Sequence, residues 1–171
     1  ENTRGLFLNS PSNPSGAVMD LAALEEICAW AGEHGIWVLS DEIYRRLYYG
    51  GGSAPSVFDV KDRPDHVVSL DGMSKAFSMP GWRIGWSVGP PDLIRKASAL
   101  QSQTTSAAAG PSQYAAAAAL ASEGREAIIG DFRVILDRRR RAAHAALQGI
   151  PGLVAPLPPG AIYLYGRLGS G

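Results

Sequence analysis

Residues 5–40 read GLFLNSPSNPSGAVMDLAALEEICAWAGEHGIWVLS. Gly5 to Asn9 is a short apolar run that ends in a polar turn, the pattern of a buried strand. Ser10 to Gly16 is a loop by composition, with backbone angles fixed by Pro11 and Pro14. Asp20 stands where a helix N-cap belongs. Leu21, Leu24, Ile27, Cys28 and Ala31 follow at helical spacing, and Gly35 ends the helix. Ile36 to Ser40 is a second buried strand. Strand, helix and strand in so short a span make one βαβ unit, which puts two parallel strands side by side in an α/β sheet.

The pattern continues on the C-terminal side. His66 to Leu70 reads as a third strand, and Trp82 to Val88, bounded by Gly81 and Gly89, as a fourth with Trp82 and Trp86 in the core. Pro91 to Gln103 and Ser112 to Ala121 are expected helices. Gly124 to Leu147 is a longer one, with Ile128, Phe132, Ile135, Leu136, Ala143 and Leu147 along one side. Pro151 to Pro159 breaks the helical pattern and resembles a crossing between domains. Ala161 to Tyr165 is expected to start a new strand. That strand would have no partner of its own, so the sequence reads as cut inside a larger protein.

Composition removes several function classes. Of 171 residues, 46% are hydrophobic and 19% charged, enough to bury a core and unlike a disordered tail. Lys+Arg and Asp+Glu both number 16, which argues against a general electrostatic grip on nucleic acid or on an anionic membrane. No apolar run approaches the ~20 residues of a membrane span. No signal-peptide core follows Glu1 to Arg4, so the expected location is cytoplasmic. A single cysteine, Cys28, excludes an internal disulfide and lies on the apolar side of its helix. His34, His66 and His144 are scattered and form no metal constellation. The basic run Arg138 to Arg141, balanced by Asp131 and Asp137, reads as a solvated helix face. Gly81, Gly85 and Gly89 do not make a dinucleotide-binding turn.

In open α/β sheets, ligands bind just beyond the carboxyl ends of the parallel strands. Three polar clusters fall there: Asn9 to Gly16 after the first strand, Ser40 to Tyr44 after the second, and Asp71 to Lys75 after the third. Arg83 follows near the expected start of the fourth. An amide, a carboxylate, a phenol, an amine and a guanidinium can thus converge on one crevice. Those groups suit pyridoxal 5'-phosphate. An amine condenses with its aldehyde, and a carboxylate keeps its ring nitrogen protonated. A phenol and an amide bond its ring oxygen, and an arginine holds its phosphate.

NSPSNPSG at 9–16, SDEIY at 40–44 and DGMSKAFSMPGWRIGW at 71–86 resemble the three signature segments of the class I/II aminotransferases, which are fold type I pyridoxal-phosphate enzymes. PPGAIYLY at 158–165 resembles that family's entry into its small domain. The order and approximate spacing agree over nearly the whole chain, and the nearest likeness is to the bacterial aspartate aminotransferase branch. The resemblance implies an α/β fold with a mostly parallel sheet and flanking helices. Residues 1–148 would be part of the cofactor-binding large domain with its long connecting helix, and 149–171 the truncated beginning of the small domain. It implies that Lys75 forms the internal aldimine and shuttles the substrate proton. Asp41 would meet the pyridine nitrogen, Tyr44 and Asn13 the ring oxygen, and Arg83 the phosphate. Gly72 stands where some relatives carry a phosphate-binding serine. A cis Asn13–Pro14 bond is also implied. The partners implied are an amino acid and a 2-oxo acid, and a second subunit in a homodimer of the full-length protein. The family's other phosphate-wrapping and carboxylate-binding groups lie outside this sequence, so the isolated chain is expected to be weak or inactive.

Taken singly, each site residue has an ordinary structural reading. Lys75 reads as a surface lysine, Asp41 as a helix cap, Tyr44 as a core aromatic, Asn13 as a turn residue before proline and Arg83 as one end of an ion pair. Together these readings are hard to sustain. Two other functions share the motifs: a β-lyase on the same fold, and the cofactor-sensing domain of a transcription regulator.

Overall fold

The structure, a computed structural model, describes residues 2–169. Residues 1, 170 and 171, at the outer ends of the two expected units, lie outside the described residues. The first βαβ unit forms as its sequence dictates. Strand β1 (Gly5–Asn9) leads to helix α1 (Leu21–His34) and strand β2 (Trp37–Asp41). The Asp20 carboxylate accepts the Ala23 amide at 2.8 Å and supplies one of the bonds a helix start lacks. Gly35 closes α1 in the left-handed region at φ 63°, with its N–H on the Ala31 and Gly32 carbonyls. Between those caps, Leu24, Cys28 and Ala31 are fully buried at spacings of four and three, one helical stripe.

Strand β3 (Val67–Gly72) extends the sheet parallel to β2, with Val38 opposite Val67 and Asp41 opposite Leu70. Strand β4 (Gly85–Val88) then turns antiparallel on β3, with Gly72 opposite Gly85, giving the order β1-β2-β3-β4. The buried stripe of α1 packs on Leu8 of β1, Val38 of β2 and Val67 of β3, with Ile36, Val57 and Val60 closing the cluster. Each such side chain contributes roughly 1.5–3 kcal/mol on burial, which makes this cluster the main reason the three parallel strands stay together.

Helices α2 (Pro91–Thr104), α3 (Gly110–Ala121) and α4 (Arg125–Gln148) follow, and a two-residue ribbon pairs β5 (Leu153–Val154) with β6 (Arg167–Leu168). Five expectations are corrected here. The fourth strand begins at Gly85, because Pro80–Trp82 form a 3-10 turn and Arg83 takes left-handed angles at φ 54°, which no strand continues through. Trp82 is accordingly 46% exposed and not in the core. Residues 161–165 are not a strand; Ala161 and Tyr163 pack against Tyr44 and Leu47, while Ile162 and Tyr165 are exposed. On α4, Ile128 and Ile135 face outward, and the inward positions are Ile129, Phe132 and Leu136. The basic run on the same helix is not uniformly solvated. The Arg140 side chain is only 9% exposed; it bonds Asp137 and the Pro158 carbonyl and lies 4.0 Å over the Tyr49 ring.

Candidate active site

The carboxyl ends of β1, β2 and β3 carry the three polar loops side by side. The first is built around Asn9. Its Oδ1 accepts the Asn13 amide at 2.6 Å, and its Nδ2 donates to the Asp41 carbonyl at 3.3 Å, so one side chain ties the first loop to the second. The Ser10 amide adds a bond to the same carbonyl at 3.2 Å. Ser10–Pro11 and Asn13–Pro14 are both cis, the second as expected. The Asn13 side chain is exposed and makes no hydrogen bond among the described residues. Gly16 closes the loop with φ 69°, and a Cβ there would lie 2.4 Å from the Pro158 side chain, so glycine is required for the loop to meet the C-terminal segment.

The second loop begins at Asp41, half-buried at the end of β2. Its Oδ1 accepts the Ile43 amide at 3.1 Å, a contact onto a turn and not the helix cap of its ordinary structural reading, since no helix follows, and its second oxygen has no partner among the described residues. Glu42 is the anchor of this loop. Buried to 3% exposure, it accepts from Ser40 Oγ at 3.1 Å, Ser56 Oγ at 2.7 Å and the Val57 amide at 2.9 Å. Tyr44, equally buried, shares a short hydrogen bond between its hydroxyl and that of Tyr163, and the two rings meet edge-on with centroids 5.5 Å apart.

Lys75 sits in the turn after β3, held by the Ser78 amide on its carbonyl and by the Met73 amide on Ile84 O. Its Nζ lies 5.5 Å over the Tyr44 ring centroid, half-buried, with no hydrogen bond or ion pair among the described residues. Gly72 is explained by packing: a Cβ there would meet Ile84 O at 2.7 Å, so no side chain fits without moving β4. Arg83 is exposed. It donates from Nη1 to the Pro80 carbonyl at 2.9 Å and makes no hydrogen bond or ion pair with Asp41.

The structure thus joins Lys75 to Tyr44, links Asn13 to Asp41 through Asn9, and leaves Arg83 apart on its turn. A cavity of about 630 Å³ lies at the opposite end of β3, between Phe58 to Val67 and Gly89 to Asp92, and none of these five residues lines it. It opens at the amino end of the parallel strands, the wrong end for a ligand site in this class of sheet.

Three groups escaped sequence reasoning. Glu42 lies inside SDEIY and Tyr163 inside PPGAIYLY, so both were within quoted segments, but nothing in either segment shows what they touch. Burial pushes the Tyr163 phenol up, and its bond to Tyr44 adds to that, while the Lys75 charge opposes it. Asp71 is the third. Burial raises its carboxyl to about 6, although the Gly72 amide bonds it at 2.7 Å, and the nearby Glu42 charge pushes in the same direction as burial.

Comparison with known proteins agrees with this geometry. An aspartate aminotransferase of Streptomyces avermitilis is 43% identical over 168 residues, covering 96% of this chain and 40% of its own length. One of Bacillus subtilis is 38% identical over 169 residues, covering 96% and 42%. The chain therefore spans about two fifths of the length of the curated relatives it matches. Among solved structures, an aromatic aminotransferase from Pyrococcus horikoshii superposes with a TM-score of 0.90 at 34% identity, over 96% of this chain and 44% of that one. Thermus thermophilus aspartate aminotransferase with maleate superposes at 0.85 and 36% identity, over 95% and 42%. These neighbours are fold type I aminotransferases, and the mostly parallel sheet with flanking helices is theirs. The model of "Aminotransferase class I and II" matches residues 1–170, and with the sheet, the loops and the relatives in agreement, the chain belongs to that family.

Proposed function

We propose that this chain is the cofactor-holding portion of a pyridoxal-phosphate-dependent transaminase that moves an amino group between an L-amino acid and a 2-oxo acid. The observation that carries the reading is Lys75. Lys75 is half-buried at the carboxyl edge of the sheet, its amine unpaired among the described residues and set against the ring of Tyr44. A lysine amine held in place without a carboxylate partner is available to condense with an aldehyde.

The donor set fits the group. Bound here, pyridoxal phosphate supplies an aldehyde for an amine to attach to and a cationic ring that withdraws electrons from substrate Cα. Lys75 is the amine that attaches it and then carries the proton at Cα. Asp41 has a carboxylate oxygen free to meet a protonated ring nitrogen. Tyr44 and Asn13 offer a hydroxyl and an amide to the ring oxygen. Arg83 has donors free for a phosphate, although it must turn from the Pro80 carbonyl to use them.

The same reading divides the chain into a large-domain part, 1–148, and the opening of a small domain, 149–171. It also takes the full-length protein as a cytoplasmic homodimer, and the chain by itself as weak or inactive.

The test is spectroscopic. Full-length protein mixed with pyridoxal phosphate gains a visible absorbance band, and borohydride reduction followed by peptide mass analysis puts the cofactor mass on Lys75. Lys75→Ala abolishes both. An amino donor then converts the bound cofactor to its amine form with release of a 2-oxo acid. A band that survives Lys75→Ala overturns the assignment, and a band with no such conversion turns the reading to a cofactor sensor.

A further inference from the structure

We propose that Tyr163 is a positioning residue for Tyr44: its phenol donates to Tyr44 Oη and leaves the Tyr44 proton aimed at the cofactor's ring oxygen. The inference rests on the reading above, that pyridoxal phosphate binds over Lys75 beside Tyr44.

A phenol has one proton and can accept as well as donate. Tyr44 is 3% exposed, so water does not compete for its hydroxyl, and among the described residues the hydroxyl of Tyr163 is its one hydrogen-bond partner. In a pair of hydroxyls, only one can donate to the other. If the Tyr44 proton is to reach a third group, Tyr163 must be the donor within the pair. A bond received by Tyr44 Oη polarises its own O–H and makes it a stronger donor.

Tyr163 is held where this requires it. The segment 158–163 crosses the first two polar loops and is stitched to both. The Gly160 amide donates to Gly16 O at 3.0 Å, and the Ala161 amide donates to Leu47 O at 2.9 Å. In return the Tyr49 amide donates to Pro159 O at 2.9 Å, and its hydroxyl to Ala161 O at 2.8 Å. Ala161 adopts φ 60°, a left-handed angle that disfavours a residue with a Cβ, so this path of the chain is maintained by its bonds and not by local preference. Packing alone does not account for the hydroxyl, because a phenylalanine at 163 would fill the same edge-on contact.

The experiment uses full-length protein loaded with pyridoxal phosphate and follows the pH midpoint of its visible band in four forms: unmutated, Tyr163→Phe, Tyr44→Phe and the double variant. A donor on the ring oxygen stabilises its anionic form and lowers the midpoint. Tyr163→Phe therefore raises it, by about half a pH unit for one polarising bond. Tyr44→Phe raises it by at least as much, and adding Tyr163→Phe to Tyr44→Phe moves it no further. A normal band whose midpoint is unmoved by Tyr163→Phe overturns this proposal alone, as does an equal shift with and without Tyr44. Absence of any band in the unmutated protein overturns the reading of function, and this proposal with it.

Discussion

Residues 5–72 and residues 91–148 use their large apolar side chains in opposite ways. In the first region, Phe7, Leu21 and Trp30 excepted, they mostly point at one another: Leu8, Leu24, Ile36, Val38, Val57 and Val67 form one closed cluster. In the second, Ile129, Phe132 and Leu136 of α4 excepted, many point out. Leu100 on α2 is 66% exposed and Tyr114 on α3 is 81% exposed, while α2 has no buried residue at all. The first region carries its own core. The second has helical periodicity with little to pack on, and its outward apolar surface is the kind that a further layer or a second subunit covers. The polar loops that carry Asn13 and Asp41 belong to the self-sufficient region, and Lys75 follows its last strand by three residues, so the groups proposed to hold the cofactor lean on the firmest part of the molecule.

The largest expected effect that tests this contrast lies at Glu42. Glu42→Ala leaves two serine hydroxyls and the Val57 amide without their buried acceptor, and loss of about 4 kcal/mol in urea unfolding is expected. Loss of under about 1 kcal/mol would show that the second loop is not anchored from beneath. Next comes a matched pair. Leu24→Ala, at 1% exposure, is expected to cost about 3 kcal/mol, and Leu100→Ala under about 0.5 kcal/mol. Equal costs, measured by the same unfolding, would erase the distinction between the regions.

The contrast also explains what the sequence reveals and what it hides. Helix α1 is legible to the residue because both its signals are local: the Asp20 carboxylate reaches an amide three residues on, and Gly35 supplies the left-handed cap. The parallel pairing of β1 and β2 follows from the length of the segment between them. Where stabilisation comes from distant chain, pattern misleads. Ala161 to Tyr165 looks like a strand, but Ala161 and Tyr163 are satisfied by the cluster of Tyr44, Phe132 and Leu136, and the Ala161 backbone by Leu47 and Tyr49, far away in sequence. Trp82 looks like core, but the 3-10 turn and the left-handed Arg83 carry it outward. At the site the division is the same. Lys75, Asp41 and Tyr44 are legible as members of short motifs. The Tyr44–Tyr163 bond spans 119 positions and has no short-range signature.

A smaller effect than those of Glu42 and Leu24 is expected at the end of the first region, on Asp71 of β3. Its carboxyl is raised from 3.8 to about 6 in the folded chain, chiefly by burial. Between those two values the folded state binds more protons than the unfolded one, so this group's contribution to stability falls as pH rises through that window. Below the window Asp71 is neutral in both states and costs nothing; above it the full penalty is present. Asp71→Asn keeps an oxygen for the Gly72 amide and removes the charge. At pH 7 the variant is expected to gain about 1 kcal/mol, less than the full shift implies because the side chain is only half-buried. Below pH 4 the gain disappears. Urea midpoints of both forms across pH 4 to 7 give the check. A gain that persists unchanged at the acid end would assign the effect to packing, and a loss at pH 7 would mean that the charge is matched by Arg45 and Arg46, the cations that act on it from the second loop.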